Sequence, residues 1–313
     1  MTRLSNEEIQ HLNHQIYKLR YTDPWISNKK VAKLVNHSVT SVNRYAHKAE
    51  EDEVITPSKP RLKPSPEKKG ALLLFEDKYR IFNECSDYPG LTYLSVYQGD
   101  WNILALYDEP TDFREFPGYI RTVGEGLLGQ IFTPLIRNTT WEKSFHSIEI
   151  LLKQKGTIKR SCLDVTPQYP RWDEEDWMLY HYFYEDLRKS FSNLRKKFPI
   201  SWRKYMEWKK TLTEYCTILL CYYPRGYDMY NSITMCFHTQ YEKYIVDLFS
   251  HLPTSTLFLK IGKYLLADVR YPKDPNKEFR MFKIMSYLKE EGIISDYRDG
   301  HGIFHCPIDY IDR

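Results

Sequence analysis

No apolar run approaches the roughly 18 residues that a membrane-spanning helix needs. The longest, such as Ala71-Leu72-Leu73-Leu74-Phe75, have the length of a strand. Cysteine is scarce, six residues at 85, 162, 216, 221, 236 and 306, and no two form a CxxC pair. That excludes a disulfide framework and the common zinc spacings, and leaves free thiols as the expectation. Glycine, 13 residues in all, composes neither a Walker loop, nor Gly-x-Gly-x-x-Gly, nor Gly-x-Ser-x-Gly. His11 and His14 stand one turn apart, and His301, His305 and Cys306 cluster near the end, but neither group has four-ligand spacing. No metal and no cofactor is expected. Ser5 to His11 is polar and no signal peptide is visible, so the expected location is cytoplasmic, with no membrane partner.

What is present is a chain too long for one small domain, 313 residues with 42% apolar side chains, enough to bury real cores. It repeats itself. Ile9, Leu12, Ile16 and Leu19 form one helical face, and Trp177, Tyr180, Tyr184 and Leu187 reproduce it 168 residues later. Val31-Ala32 through Ser38, Val42 and Tyr45 recurs at offset 163 as Leu194-Arg195 through Ser201, Tyr205 and Trp208. Pro89 to Leu94 matches Pro253 to Phe258, and Gly99 to Leu104 matches Gly262 to Ala267. Each copy reads as three helices followed by β-α-β-β-α-β, with the last helices near Phe113 to Thr122 and Phe279 to Glu291. The second pattern is that of a ferredoxin-like sandwich.

The basic residues are concentrated although the net charge is only +4. Residues 27–48 carry Lys29, Lys30, Lys33, Arg44 and Lys48 with no acid. Residues 188–210 carry Arg188, Lys189, Arg195, Lys196, Lys197, Arg203, Lys204, Lys209 and Lys210 against Glu207. Both clusters fall on the second and third helices of their copies. Ser38 and Ser201 would cap the third helix. Thr40, Ser41, Asn43, Arg44, His47 and Lys48 would face outward in the first copy, and Trp202, Arg203, Lys204 and Lys209 in the second. Such faces suit double-stranded DNA, because each phosphate contact releases counterions. Four prolines between Thr56 and Pro66 give an extended basic segment in which Arg61 and Lys63 could follow a phosphate backbone.

Ser38, Ser41, Val42, Arg44, Lys48, Glu50, Glu51, Val54 and Ile55 resemble the recognition-helix signature of the Lrp/AsnC (feast/famine) regulators of bacteria and archaea. Pro89-Gly90, then Gly99-Asp100-Trp101-Asn102, resemble that family's second domain. Tyr45, Ala49 and Glu53 depart from the signature. The resemblance implies an α+β chain in which two winged helix-turn-helix domains alternate with two ferredoxin-like sandwich domains. Its expected boundaries are 1–56, first winged helix-turn-helix; 57–69, basic Pro-rich wing or linker; 70–138, first sandwich; 139–171, connecting segment; 172–220, second helix-turn-helix; and 221–313, second sandwich. It also implies a nucleoid-associated transcriptional regulator without enzymatic activity, a homodimer through the sandwiches, and a small-molecule effector near Tyr97, Gly99, Asp100 and Trp101.

Three alternatives stand beside the regulator. Siroheme decarboxylases are similar to Lrp in architecture but act on a tetrapyrrole. Here Trp101, Tyr107, His238 and the aromatic run Tyr222 to Tyr230 are the candidates to line such a pocket. A tandem winged-helix replication initiator and an architectural DNA-coating protein are the others.

Overall fold

The computed structural model describes residues 4–85, 88–108, 111–154, 158–163 and 169–307. Its first helical unit is α1 (Asn6–Thr22), α2 (Asn28–Leu34) and α3 (Val39–Glu51). Ser5, Ser27 and Ser38 cap these helices, and Ser5 with Glu8 closes a capping box. Strand β1 (Lys59–Leu62) follows, then β2 (Lys69–Phe75), α4 (Lys78–Cys85), β3 (Leu91–Gly99), β4 (Ile103–Tyr107) and β5 (Tyr119–Phe132). Helix α5 (Trp141–Lys153) leads into the second unit of α6 (Glu174–Phe183), α7 (Phe191–Arg195) and α8 (Trp202–Tyr215). The chain ends with β6 (Cys216–Leu219), β7 (Tyr230–His238), α9 (Glu242–Ser250), β8 (Leu257–Ile261), β9 (Tyr264–Pro272), α10 (Pro275–Glu290) and β10 (Asp296–Pro307).

The assembly of these elements corrects the expected architecture. Instead of two separate sandwiches, eight strands close into one barrel in the order β10-β3-β4-β2-β5-β8-β9-β7. Each half contributes four adjacent strands. The fourth strand of each half then pairs with the second strand of the other: β5 with β8 through Leu128↔Ile261 and Phe132↔Phe258, and β10 with β3 through Gly300↔Gly99 and Cys306↔Leu94. An edge strand carries a row of unpaired backbone groups, and closure satisfies them within the chain.

The wings are corrected too. Strands β1 and β6 pair with each other, Lys59↔Leu219 to Leu62↔Cys216, so neither helical unit carries a wing of its own. The helix expected near Phe113 to Thr122 is a single 3-10 turn, Phe113–Glu115. Pro117 and Gly118, with Gly118 at φ +72°, break it and start the long β5 early. On the second half, α10 is present and α5 packs beside it, with Arg280 bonded to Glu142 and Glu149.

Segment 221–223 runs along the end of the first helical unit. Thr56 donates to the Cys221 carbonyl at 3.0 Å and Tyr223 to that of Val54 at 2.8 Å. Tyr222 stacks on Tyr17 with ring centroids 5.2 Å apart. The dense aromatic run thus seats the first unit on the second half.

Candidate active site in the barrel

Leu72, Tyr97, Trp101, Leu104, Val123, Cys236, Ile261 and Leu266 form one buried cluster drawn from both halves of the barrel. They pack within the barrel. On β9, strand alternation places Asp268 and Arg270 on the same face as Leu266, while Leu265, Ala267, Val269 and Tyr271 face the helices. One end of the interior is therefore polar. Its geometry follows from register: Thr234 opposes Asp268 and Ser232 opposes Arg270.

Asp268 accepts from Ser232 Oγ at 2.8 Å and Thr234 Oγ1 at 3.3 Å, and pairs with Arg270 Nη2 at 3.3 Å. The Arg270 guanidinium also donates to the Tyr227 hydroxyl and lies 4.2 Å from the centroid of that ring. Its Nε is buried and finds no hydrogen-bond partner among the described residues. The pair is half-buried, its side chains 16% and 25% exposed, and an ion pair drawn this far out of water gains little over apolar packing, which makes it a candidate for function.

Tyrosines surround the pair. Burial raises the Tyr97 phenol to about 12, and the Asp268 carboxylate adds to the effect. Tyr93, Tyr223 and Tyr227 are raised as well, burial first in each case. Their hydroxyls therefore stay protonated through neutral pH. Gly300 makes room for this wall, since a Cβ there would sit 3.1 Å from the Trp101 ring and 3.3 Å from that of Tyr97.

The Tyr97 shift has a testable sign. Folded and unfolded chains both hold the proton below the ordinary value of about 10. Between there and about 12 only the unfolded chain releases it, so stability is complete below that window and falls as pH rises through it. Tyr97→Phe should remove a share of about 1.4 kcal/mol per pH unit from the alkaline loss. Urea titrations from neutral to strongly alkaline pH read this directly, and an unchanged slope in the variant would contradict it.

The residues expected near an effector separate into two groups. Tyr97 and Trp101 lie in the barrel interior, ring centroids 5.7 Å apart. Gly99 and Asp100 form the joint with β10, where Asp100 N donates to Asp299 O at 2.9 Å and Asp299 N donates to Asp100 Oδ2 at 3.0 Å. The other proposed pocket residues are not brought together. Tyr107 faces the outer cluster and bonds Glu125 at 2.5 Å, and His238 holds Ser295 at 2.8 Å on the far end of β7. The side chains of His305 and Cys306 lie outside the described residues. Sequence reasoning missed Arg270, Asp268, Ser232 and Thr234; the available signal was a strand with one apolar face and opposite charges two residues apart on the other.

The DNA interface is corrected by where the basic groups go. Arg61 donates to the Tyr184 carbonyl at 2.9 Å, and Lys63 to those of Thr213 and Glu214. Lys204 pairs with Asp173 at 2.6 Å and Asp176 at 2.8 Å, Arg203 with Glu207, and Lys209 sits 4.6 Å from the Trp25 ring of the first unit. Arg188 is consumed between the units, donating to Pro24 O and Ile26 O. In α3, His47 and Lys48 pair with Glu51 and Asp52, Arg44 lies against Tyr45, Asn43 accepts from Asn28, and Ser38 bonds Ser41. Thr40 is exposed, and Ser201 accepts from Lys204 N as the cap of α8. Lys29, Lys30, Arg195, Lys196 and Lys197 remain exposed.

No family model and no curated protein matches the chain. Among solved structures it is similar to the siroheme decarboxylase NirDL, with 13% identity and a TM-score of 0.48, covering 94% of this chain and 91% of that one. It is also similar to NirDL in complex with an iron-uroporphyrin III analogue, with 13% identity, a TM-score of 0.42 and coverage of 94% and 92%. These are structures of an enzyme. The regulator reading is withdrawn on the fate of its cations, and the expectations of a double-stranded DNA partner, nucleoid association and no enzymatic activity are withdrawn with it. No helix among the described residues is long and apolar enough to cross a membrane.

Proposed function

We propose that the chain is an enzyme of the siroheme-decarboxylase kind, acting on a carboxylated tetrapyrrole on an Lrp-like frame. The observation that carries the reading is Arg270, a cation in the barrel interior with an unsatisfied Nε and a wall of protonated phenols. A ring-borne acetate that displaces Asp268 would give the guanidinium a two-point partner, the geometry it prefers. Tyr227 holds the guanidinium from one side, its hydroxyl accepting and its ring face packed against the cation.

The chemistry asks two things of the protein. The carboxylate must be held until the carbon–carbon bond breaks and carbon dioxide leaves. The electron pair left on the methylene carbon must then receive a proton. Tyr97 or Tyr93 is assigned that donation, and the resulting phenolate recovers its proton from water. Tyr97 feels the charge of Arg270, and Gly99 and Asp100 hold its strand, β3, against β10.

Mixing the protein with iron-uroporphyrin III should shift the tetrapyrrole absorbance in a saturable way. Incubation with siroheme under reducing, anaerobic conditions should yield products lighter by carbon dioxide in mass spectrometry. An unchanged spectrum together with unchanged substrate mass would overturn the proposal.

A further inference from the structure

The basic stretch that suggested DNA has a second feature. At the junction of α7 and α8, Phe191, Trp202 and Tyr205 form a cup. The Phe191 and Tyr205 rings stack 4.5 Å apart, and Trp202 closes the side at 5.2 Å from one and 5.3 Å from the other. The cleft they line with Ser192 and Arg195 measures about 530 Å³. Trp202 is 57% exposed, an unusual position for the largest apolar side chain. Around it stand Arg195, Lys196, Lys197 and Arg203, all exposed; Arg203 is 88% exposed despite its contact with Glu207.

We infer that this face docks an acidic protein segment that inserts one apolar side chain into the Phe191–Trp202–Tyr205 cup. Charge complementarity selects the occupant: Arg195, Lys196, Lys197 and Arg203 are exposed cations beside the cup, and of the acids at the start of α6, Asp173 and Asp176 are engaged by Lys204. The centre is aromatic and the rim is arginine and lysine, the composition at which binding energy concentrates in protein interfaces. The inference is independent of the enzymatic reading.

The test uses the full chain and a synthetic peptide in which glutamates flank a single phenylalanine. The peptide should change the tryptophan emission saturably, and Trp202→Phe should identify the reporting ring. Charge reversal at Arg195, Lys196 and Lys197 should weaken binding at least tenfold, as should Trp202→Ala. Both variants alter exposed side chains, and their melting curves should overlay that of the parent. The proposal is overturned if no peptide binding is seen or if either variant binds as the parent does. Tighter binding to anionic phospholipid vesicles, or to a duplex DNA of equal charge, overturns it in favour of that surface.

Discussion

Arg270→Met is expected to reduce iron-uroporphyrin binding by about 30-fold or more, since truncating one partner of a charge pair in an interface costs about 2–5 kcal/mol. The variant also leaves Asp268 in the barrel with only Ser232 and Thr234 as donors, so part of any loss could arise from a weakened fold. The double variant Arg270→Met with Asp268→Leu separates the two. Removing both charges restores apolar packing, so its urea midpoint should return to that of the parent or exceed it. Its tetrapyrrole binding should stay lost. Absorbance titration and urea denaturation of the three proteins measure both quantities. A double variant that binds and decarboxylates normally would remove Arg270 from the site.

Gly99→Val should cost about 4 kcal/mol or more, in the range reserved for severe strain. A Cβ at this position would lie 2.3 Å from Asp299 O and 2.7 Å from Gly300 Cα. Both are backbone atoms of β10, so no side chain can swing aside. The seam between β3 and β10 must open, and the freed edges should then pair between chains. Denaturation and gel filtration should show a destabilised protein with an added dimer. Gly262 occupies the corresponding turn of the second half, where a Cβ would lie 3.1 Å from its nearest neighbour, Glu125 O, at φ +54°. Gly262→Ala should therefore cost only about 1 kcal/mol. Equal effects at the two glycines would contradict this account of the seam.

Most elements were legible because their periods were clean. The face of Ile9, Leu12 and Ile16, the caps at Ser5, Ser38 and Ser201, and the run from Ala71 to Phe75 all carry local signals that the structure honours. Closure of the barrel was not legible. It rests on main-chain pairing between β5 and β8 and between β10 and β3, and main-chain pairing leaves no side-chain pattern at such distances along the chain. The missing helix after Phe113 had a local cause, Pro117-Gly118, that the repeat analogy overrode.

The site was hidden for a related reason. Asp268 and Arg270 alternate with Ala267, Val269 and Tyr271, the pattern of a strand with one wet face. Only closure turns that face inward. The basic clusters were legible as composition, but their partners were not. Lys204 meets Asp173 from 31 positions away, and Lys63 reaches Thr213 from 150. Sequence counts charges; the fold decides which ones are already neutralised.

The halves exchange more than barrel strands. The first helical unit rests on residues 221–223 of the second half, and the two-stranded ribbon of β1 and β6 takes one strand from each. Neither half is a complete body. Two polypeptides produced from a gene severed between them should each be poorly soluble alone and should reconstitute when made together. Such a chain would tolerate division of its coding region far better than the loss of either product.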